Sequence, residues 1–186
     1  MIINIRGTNG SAKSTVVRNI MKPYRTFPLY GALGPKRPEA NKLLDLPRFG
    51  RPVYVLGPYM TPAGGADCIQ PYERIPELIR KYAALGHVIF EGIIVSCSVG
   101  KVGACLEEYG KDSVVAYLDT SLEDCLKAIN GRRAERGLER EPLKRVEEHY
   151  KAILRIRENM IETDKVNVID ISRETGAETI MGLLTI

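Results

Sequence analysis

The sequence predicts an α/β fold of about five mostly parallel strands flanked by helices. Three observations carry that expectation. Short apolar runs alternate with stretches of helical periodicity along the whole chain. The run His87–Val95 is almost continuously apolar, as a strand covered on both faces must be. A glycine-rich turn, Gly7–Thr15, separates the first apolar run from the first helical pattern. At 186 residues the chain is read as one domain, 1–186, with room for a sizeable core.

In order, Met1–Arg6 is the first strand and Lys13–Met21 the first helix, which Pro23 ends. From Pro23 to Pro52 six prolines predict mostly irregular chain, with a short helix around Glu39–Leu44. Val53–Leu56 is a strand. Tyr72–Leu85 is a helix, with Ile75, Leu78, Ile79 and Tyr82 on one side and Gly86 closing it. His87–Val95 is the next strand and Val102–Tyr109 a helix. Ser113–Leu118 is a strand, and Asp119, Thr120 and Ser121 cap the helix Ser121–Arg133. After Gly137 a long helix runs from about Pro142 to Thr163. Val166–Ile171 and Glu174–Leu184 form the last strand and helix.

The composition is that of a globular protein, 44% hydrophobic and 27% charged. No apolar run approaches the roughly 20 residues of a membrane span. The chain enters its first strand without a signal-peptide pattern, so a cytoplasmic protein with no membrane partner is expected. Cys68, Cys97, Cys105 and Cys125 lack metal-site spacing, and reduced thiols fit such a compartment. Charge is uneven. Between Lys22 and Arg51 seven basic residues face two acidic ones, an excess of +5 within a net charge of +4. The segment 22–52 is either a polyanion-binding surface or a solvated loop.

GTNGSAKST, from Gly7 through Thr8, Asn9, Gly10, Ser11, Ala12, Lys13 and Ser14 to Thr15, has the layout of a phosphate-binding loop. Its glycines let backbone N–H groups turn inward on an anion, and the helix that follows adds its positive end. Lys13 is placed to reach β- and γ-phosphates, and the Ser14 hydroxyl to ligate Mg2+. Ala12 stands where the pattern has a second glycine, and alanine resists positive φ, so a local departure in loop shape is expected.

Glu91 lies inside the apolar VIFEGIIV, where a carboxylate is costly without a partner. It is a candidate for the Mg2+ site, a candidate base, or a salt-bridged structural group. Asp67 in AGGADCI follows two glycines past a strand end, where α/β ligands gather. General base, substrate ligand and turn stabiliser all fit it. Arg132, Arg133, Arg136 and Arg140 cluster between two helices. Their guanidinium forks suit a transferring phosphoryl group, and a solvated helix end is the other reading.

GTNGSAKST, VIFEG, YLDTSLEDCLKAINGRRAERG and VNVIDISRE together resemble P-loop nucleoside and nucleotide kinases. The RRxxR run is similar to the lid of thymidylate-type kinases, and VIFEG to the matching strand of uridine-type kinases. The likeness spans most of the chain outside Pro23–Pro52, and the phosphate loop is its specific part. It implies a three-layer P-loop kinase fold with a lid at about 130–142 and ATP–Mg2+ as phosphoryl donor. It also implies that Arg132, Arg133 and Arg136 act from the lid and that residues 172–174 lie near adenine. The Asp-Arg pair of nucleotide monophosphate sites is missing, since Glu91-Gly92 stands there. Tyr59–Asp67, with this loop and VIFEG, resembles phage-encoded kinases that phosphorylate 5-hydroxymethyluracil within DNA. That narrower likeness implies γ-phosphoryl transfer to a pyrimidine hydroxyl, Asp67 on the acceptor side, the basic segment facing DNA, and a host-cytoplasmic setting. A kinase of a free nucleoside, nucleotide or other small molecule is the first alternative. An NTP-binding switch is the second.

Overall fold

A single seven-stranded sheet organises the chain in the order β2-β3-β4-β5-β1-β6-β7. The computed structural model describes residues 1–31, 33–46, 49–60, 64–97 and 99–185. The strands are β1 Ile2–Arg6, β2 Thr26–Leu29, β3 Ala40–Leu43, β4 Val53–Leu56, β5 His87–Glu91, β6 Ser113–Leu118 and β7 Asn167–Ile171. The helices are α1 Lys13–Met21, α2 Arg74–Ala83, α3 Ile93–Ser96, α4 Gly100–Glu108, α5 Leu122–Ala134, α6 Leu143–Thr163 and α7 Gly176–Leu183. β4, β5, β1, β6 and β7 run parallel. β2 and β3 extend that sheet antiparallel.

Two apolar clusters lie on opposite faces of the sheet, which makes three layers. One joins β1, β4, β5 and β6 side chains to α2, α4 and α6, with Ile75, Ile79, Val102, Leu106 and Ile153 buried in it. The other seats α1 and α7 through Val16, Val17, Ile20 and Ile180. Successive residues of β1 divide between them, Ile2 into the first and Ile3 into the second, because side chains of a strand alternate. Each fully buried aliphatic side chain contributes about 1.5–3 kcal/mol.

Two expectations are corrected. The described part of residues 22–52 is mostly irregular as expected, but it holds two short strands and no helix forms around Glu39–Leu44. Ala40–Leu43 is a strand, paired on one side with β4 and on the other with β2. Pro28 is tolerated in β2 because that strand is the sheet edge. Leu44 N–H donates to Arg25 O at 2.8 Å, so alternation turns the position-28 nitrogen outward. Arg48, part of the basic segment, lies outside the described residues, as do residues 61–63 of the Tyr59–Asp67 stretch. Finally, the apolar run 87–95 is a strand only to Glu91. Gly92 breaks it and Ile93–Ser96 is a helical turn. Among the described residues, no helix is long and apolar enough to cross a membrane.

Candidate active site

The phosphate loop forms where β1, the middle strand of the parallel set, hands over to α1. Ser11 N–H closes back on Thr8 O at 3.1 Å, while Thr15 and Val16 N–H both donate to Ala12 O. The N–H groups of Asn9, Gly10, Lys13 and Ser14 have no acceptor among the described residues. Ser11 Oγ is buried with no partner among the described residues. Unspent donors around a helix N-terminus fit a chain of phosphates. Gly10 is required by contact: φ is +84°, and a Cβ there would run into the Cys125 carbonyl of α5.

Ala12 adopts φ 75°, ψ 18°, so the alanine takes the left-handed geometry instead of reshaping the loop. That geometry costs a residue with a Cβ about 1–2 kcal/mol. Glycine at this site recovers that strain and gives back about 0.4–1 kcal/mol of chain entropy. Ala12→Gly is therefore expected to raise Tm by about 1–4 °C in a thermal melt, with turnover kept. A lower Tm would sink the strain argument.

Lys13 is 7% exposed, and its Nζ donates to Gly7 O at 2.8 Å and Thr8 O at 3.0 Å. Burial pulls its ammonium below the usual lysine range, against the charges of Glu91 and Asp67. Glu91, at the carboxyl end of β5, accepts from Ser14 Oγ at 2.8 Å and Tyr59 OH at 3.5 Å on Oε1. Burial pushes its carboxyl above the usual range, and Lys13 holds that shift back. Burial and the neighbouring Glu91 also raise the Tyr59 phenol, which stays a donor. A hydroxyl and a carboxylate in contact are hard oxygen donors, suited to Mg2+ that also binds phosphate. Ser14 and Glu91 fit that ion.

Asp67 sits in a short 3-10 turn after Gly65, which has φ +80° and brings its Cα so near Glu91 that a Cβ would overlap the carboxylate. Its two oxygens accept from Ile93 N–H at 2.7 Å and Ile94 N–H at 3.0 Å. It thus caps α3, a role sequence could not reveal while 93–95 read as strand. Ser96 Oγ accepts from Gly7 N–H at 3.3 Å and ties α3 to the phosphate loop.

Arg132, Arg133 and Arg136 reach a cleft of ≈ 350 Å³ that opens beside Thr8 and Asn9. The α5–α6 connection lines that cleft through Arg136 and Glu141. Sequence reasoning missed Glu141, Arg145 and His149, which line the same cleft from the start of α6. Glu141 holds Arg133 at 2.7 Å and Arg145 at 3.3 Å. Arg132 Nε donates to Ala128 O at 3.3 Å. Arg145 and His149 are four residues apart, one helical turn, which was the available signal. Arg6 was also missed. It is fully buried at the end of β1, donating to Asn4 Oδ1 at 2.6 Å, and burial lowers its pKa. A charged residue closing an apolar strand singles it out as Glu91 was.

No family model matches the chain. A 5-hmdU DNA kinase of Pseudomonas phage PaMx11 is 38% identical over 133 residues, 71% of this chain and 69% of that protein. A 5-hmdU DNA kinase of Pseudomonas phage M6 is 28% identical over 193 aligned positions, covering 98% and 96%. Among solved structures, a deoxyadenosine kinase from M. mycoides with products dCMP and a flexible dCDP bound gives a TM-score of 0.50 at 17% identity. It covers 99% of this chain and 98% of that one, a likeness of fold alone. The sheet order, the loop and these relatives agree: the chain is a phosphotransferase of P-loop kinase fold and belongs to the family of the 5-hmdU DNA kinases.

Proposed function

We propose that the protein transfers the γ-phosphoryl group of ATP to the hydroxyl of 5-hydroxymethyluracil within DNA. The contact of Ser14 with Glu91, beside Lys13 at the mouth of the loop, carries this reading, and the names of the phage relatives support its acceptor. The unspent N–H groups of the loop grip the donor phosphates. Lys13 leaves the Gly7 and Thr8 carbonyls for the β- and γ-oxygens. Ser14 and Glu91 hold Mg2+, which when bound neutralises phosphate charge. Asp67, on the acceptor side, takes the proton of the attacking hydroxyl. That oxygen forms its bond to γ-phosphorus as the β–γ bridge breaks and ADP departs.

Arg132, Arg133 and Arg136 bear on the charge that develops on the transferring group. Alanine at any of the three is expected to lower kcat more than it raises KM for ATP, because the contact matures in the transition state. Steady-state kinetics decide this, and a pure KM effect for all three would reduce them to ground-state binding. The phage origin of the relatives supports a setting in the cytoplasm of an infected host.

The test of the acceptor is labelled γ-phosphate offered with DNA containing 5-hydroxymethyluracil, with the free nucleoside, and with unmodified DNA. Label is expected in the modified DNA. Label in the nucleoside or a monophosphate and never in DNA would leave a small-molecule kinase.

A further inference from the structure

Resting on the proposed DNA acceptor, we infer that the connection between β2 and β3 is the part of the basic segment that holds DNA, through Tyr30, Lys36 and Arg37. The remaining described basic residues of the segment lie away from the DNA. Topology makes the division. β4 is parallel to β5, whose last residue is Glu91, so Leu56 ends at the active-site edge. β3 runs against β4 with Ala40 opposite Leu56, and β2 against β3 with Leu29 opposite Ala40. The connection 30–39 therefore leaves the sheet on the side of Asp67 and Glu91.

The connection is rooted there. Glu39 N–H donates to Leu29 O and Gly57 N–H to Glu39 O, each at 2.8 Å, and Asn41 Nδ2 donates to Gly57 O at 2.9 Å. The Glu39 carboxylate is 1% exposed. It pairs with Lys81, accepts from Tyr82 OH at 2.7 Å, and packs on Gly31. From that base Tyr30, 51% exposed, and the exposed Lys36 and Arg37 point to solvent. Arg37 is near enough for its charge to act on the Cys68 thiol, next to Asp67.

The other described cations of the segment are elsewhere or occupied, with Lys42 lining a cleft beside Asp45 and Arg51 at the far end of β3. Arg25, at the far end of β2, pairs with Asp45 at 2.8 and 3.2 Å. Arg51 donates to the Ala83 and Ala84 carbonyls at the end of α2. Lys22 follows α1, which starts at the phosphate loop and runs away from it. A polyanion whose base enters beside Asp67 meets the hairpin tip first. Two cations suit phosphates flanking an extruded nucleotide, and an exposed phenol ring offers a face for a base or sugar.

The experiment compares Lys36→Glu/Arg37→Glu and Tyr30→Ala with Lys22→Glu/Arg25→Glu. Each is titrated with 5-hydroxymethyluracil duplex at several salt concentrations, with label transfer measured alongside. The tip double variant is expected to weaken binding at least tenfold at low salt. It should also flatten the log Kd against log salt slope by about 2, one for each phosphate contact. Tyr30→Ala is expected to weaken binding with the slope unchanged, and Lys22→Glu/Arg25→Glu to stay within about twofold of the parent. A tip variant that binds as the parent does, or a control that loses as much, overturns the inference while leaving a DNA kinase. If the parent never labels DNA, the acceptor reading and this inference fail together.

Discussion

Lys13→Ala is expected to fold as the parent does and to lose at least ~10²–10³-fold in kcat, the range seen when one charge-stabilising donor is removed. Lys13 is buried, yet its contacts are two carbonyls of its own loop and the charges of Glu91 and Asp67. Packing around it is supplied by Val16, Val17 and Ile20, which face the second cluster independently of the ammonium. Thermal melting and circular dichroism should therefore change little while single-turnover transfer collapses. Transfer within tenfold of the parent would remove the phosphate loop from the mechanism.

The second large effect is expected at the two carboxylates. Glu91→Gln and Asp67→Asn should each lower kcat by at least ~10²-fold, the lower end of a general base's contribution. Their signatures differ. The side-chain amide introduced by Glu91→Gln can still accept from Ser14 Oγ, so the loss should come with a raised Mg2+ requirement. Asp67→Asn keeps one carbonyl oxygen for the N–H groups of α3, so a purely capping residue would show a loss of about 1 kcal/mol in stability and normal turnover. Melting curves beside kinetics separate these cases. If only one variant slows the enzyme, the other residue is structural. If neither does, the acceptor lies elsewhere.

The parallel core was legible because a buried strand reads as an apolar run and a surface helix as a 3.6-residue repeat. Both signals survive in β1, β4, β5, β6, α1, α2 and α6. β2 and β3 were not, since their pairing is non-local and Pro28 is admissible only on an edge. The end of β5 was hidden for a related reason: Ile93 and Val95 are as apolar as the strand before them, so periodicity could not mark the turn into α3. Around the loop, the placement of Lys13 and Ser14 beside Glu91 and of Arg132, Arg133 and Arg136 on the neighbouring cleft follows the order along the chain. The Glu141 contact with Arg133 was invisible, because it depends on how α5 and α6 fold onto one another.

That contact has a bearing on affinity. A carboxylate already occupies two of the cleft's guanidinium groups, so in the proposed reaction a nucleotide phosphate arriving there replaces one anion by another. One carboxylate shared by two guanidinium groups offsets only part of the positive charge of the cleft before a nucleotide arrives. On the proposed reaction, Arg133 is then expected to add less to the ground-state affinity for the donor than an unpaired arginine would. Its worth lies in the difference between a static carboxylate and a phosphoryl group gaining charge. The cleft carries a resident counter-ion, and in the proposed reaction the grip of Arg133 on phosphate is expected to strengthen as charge develops.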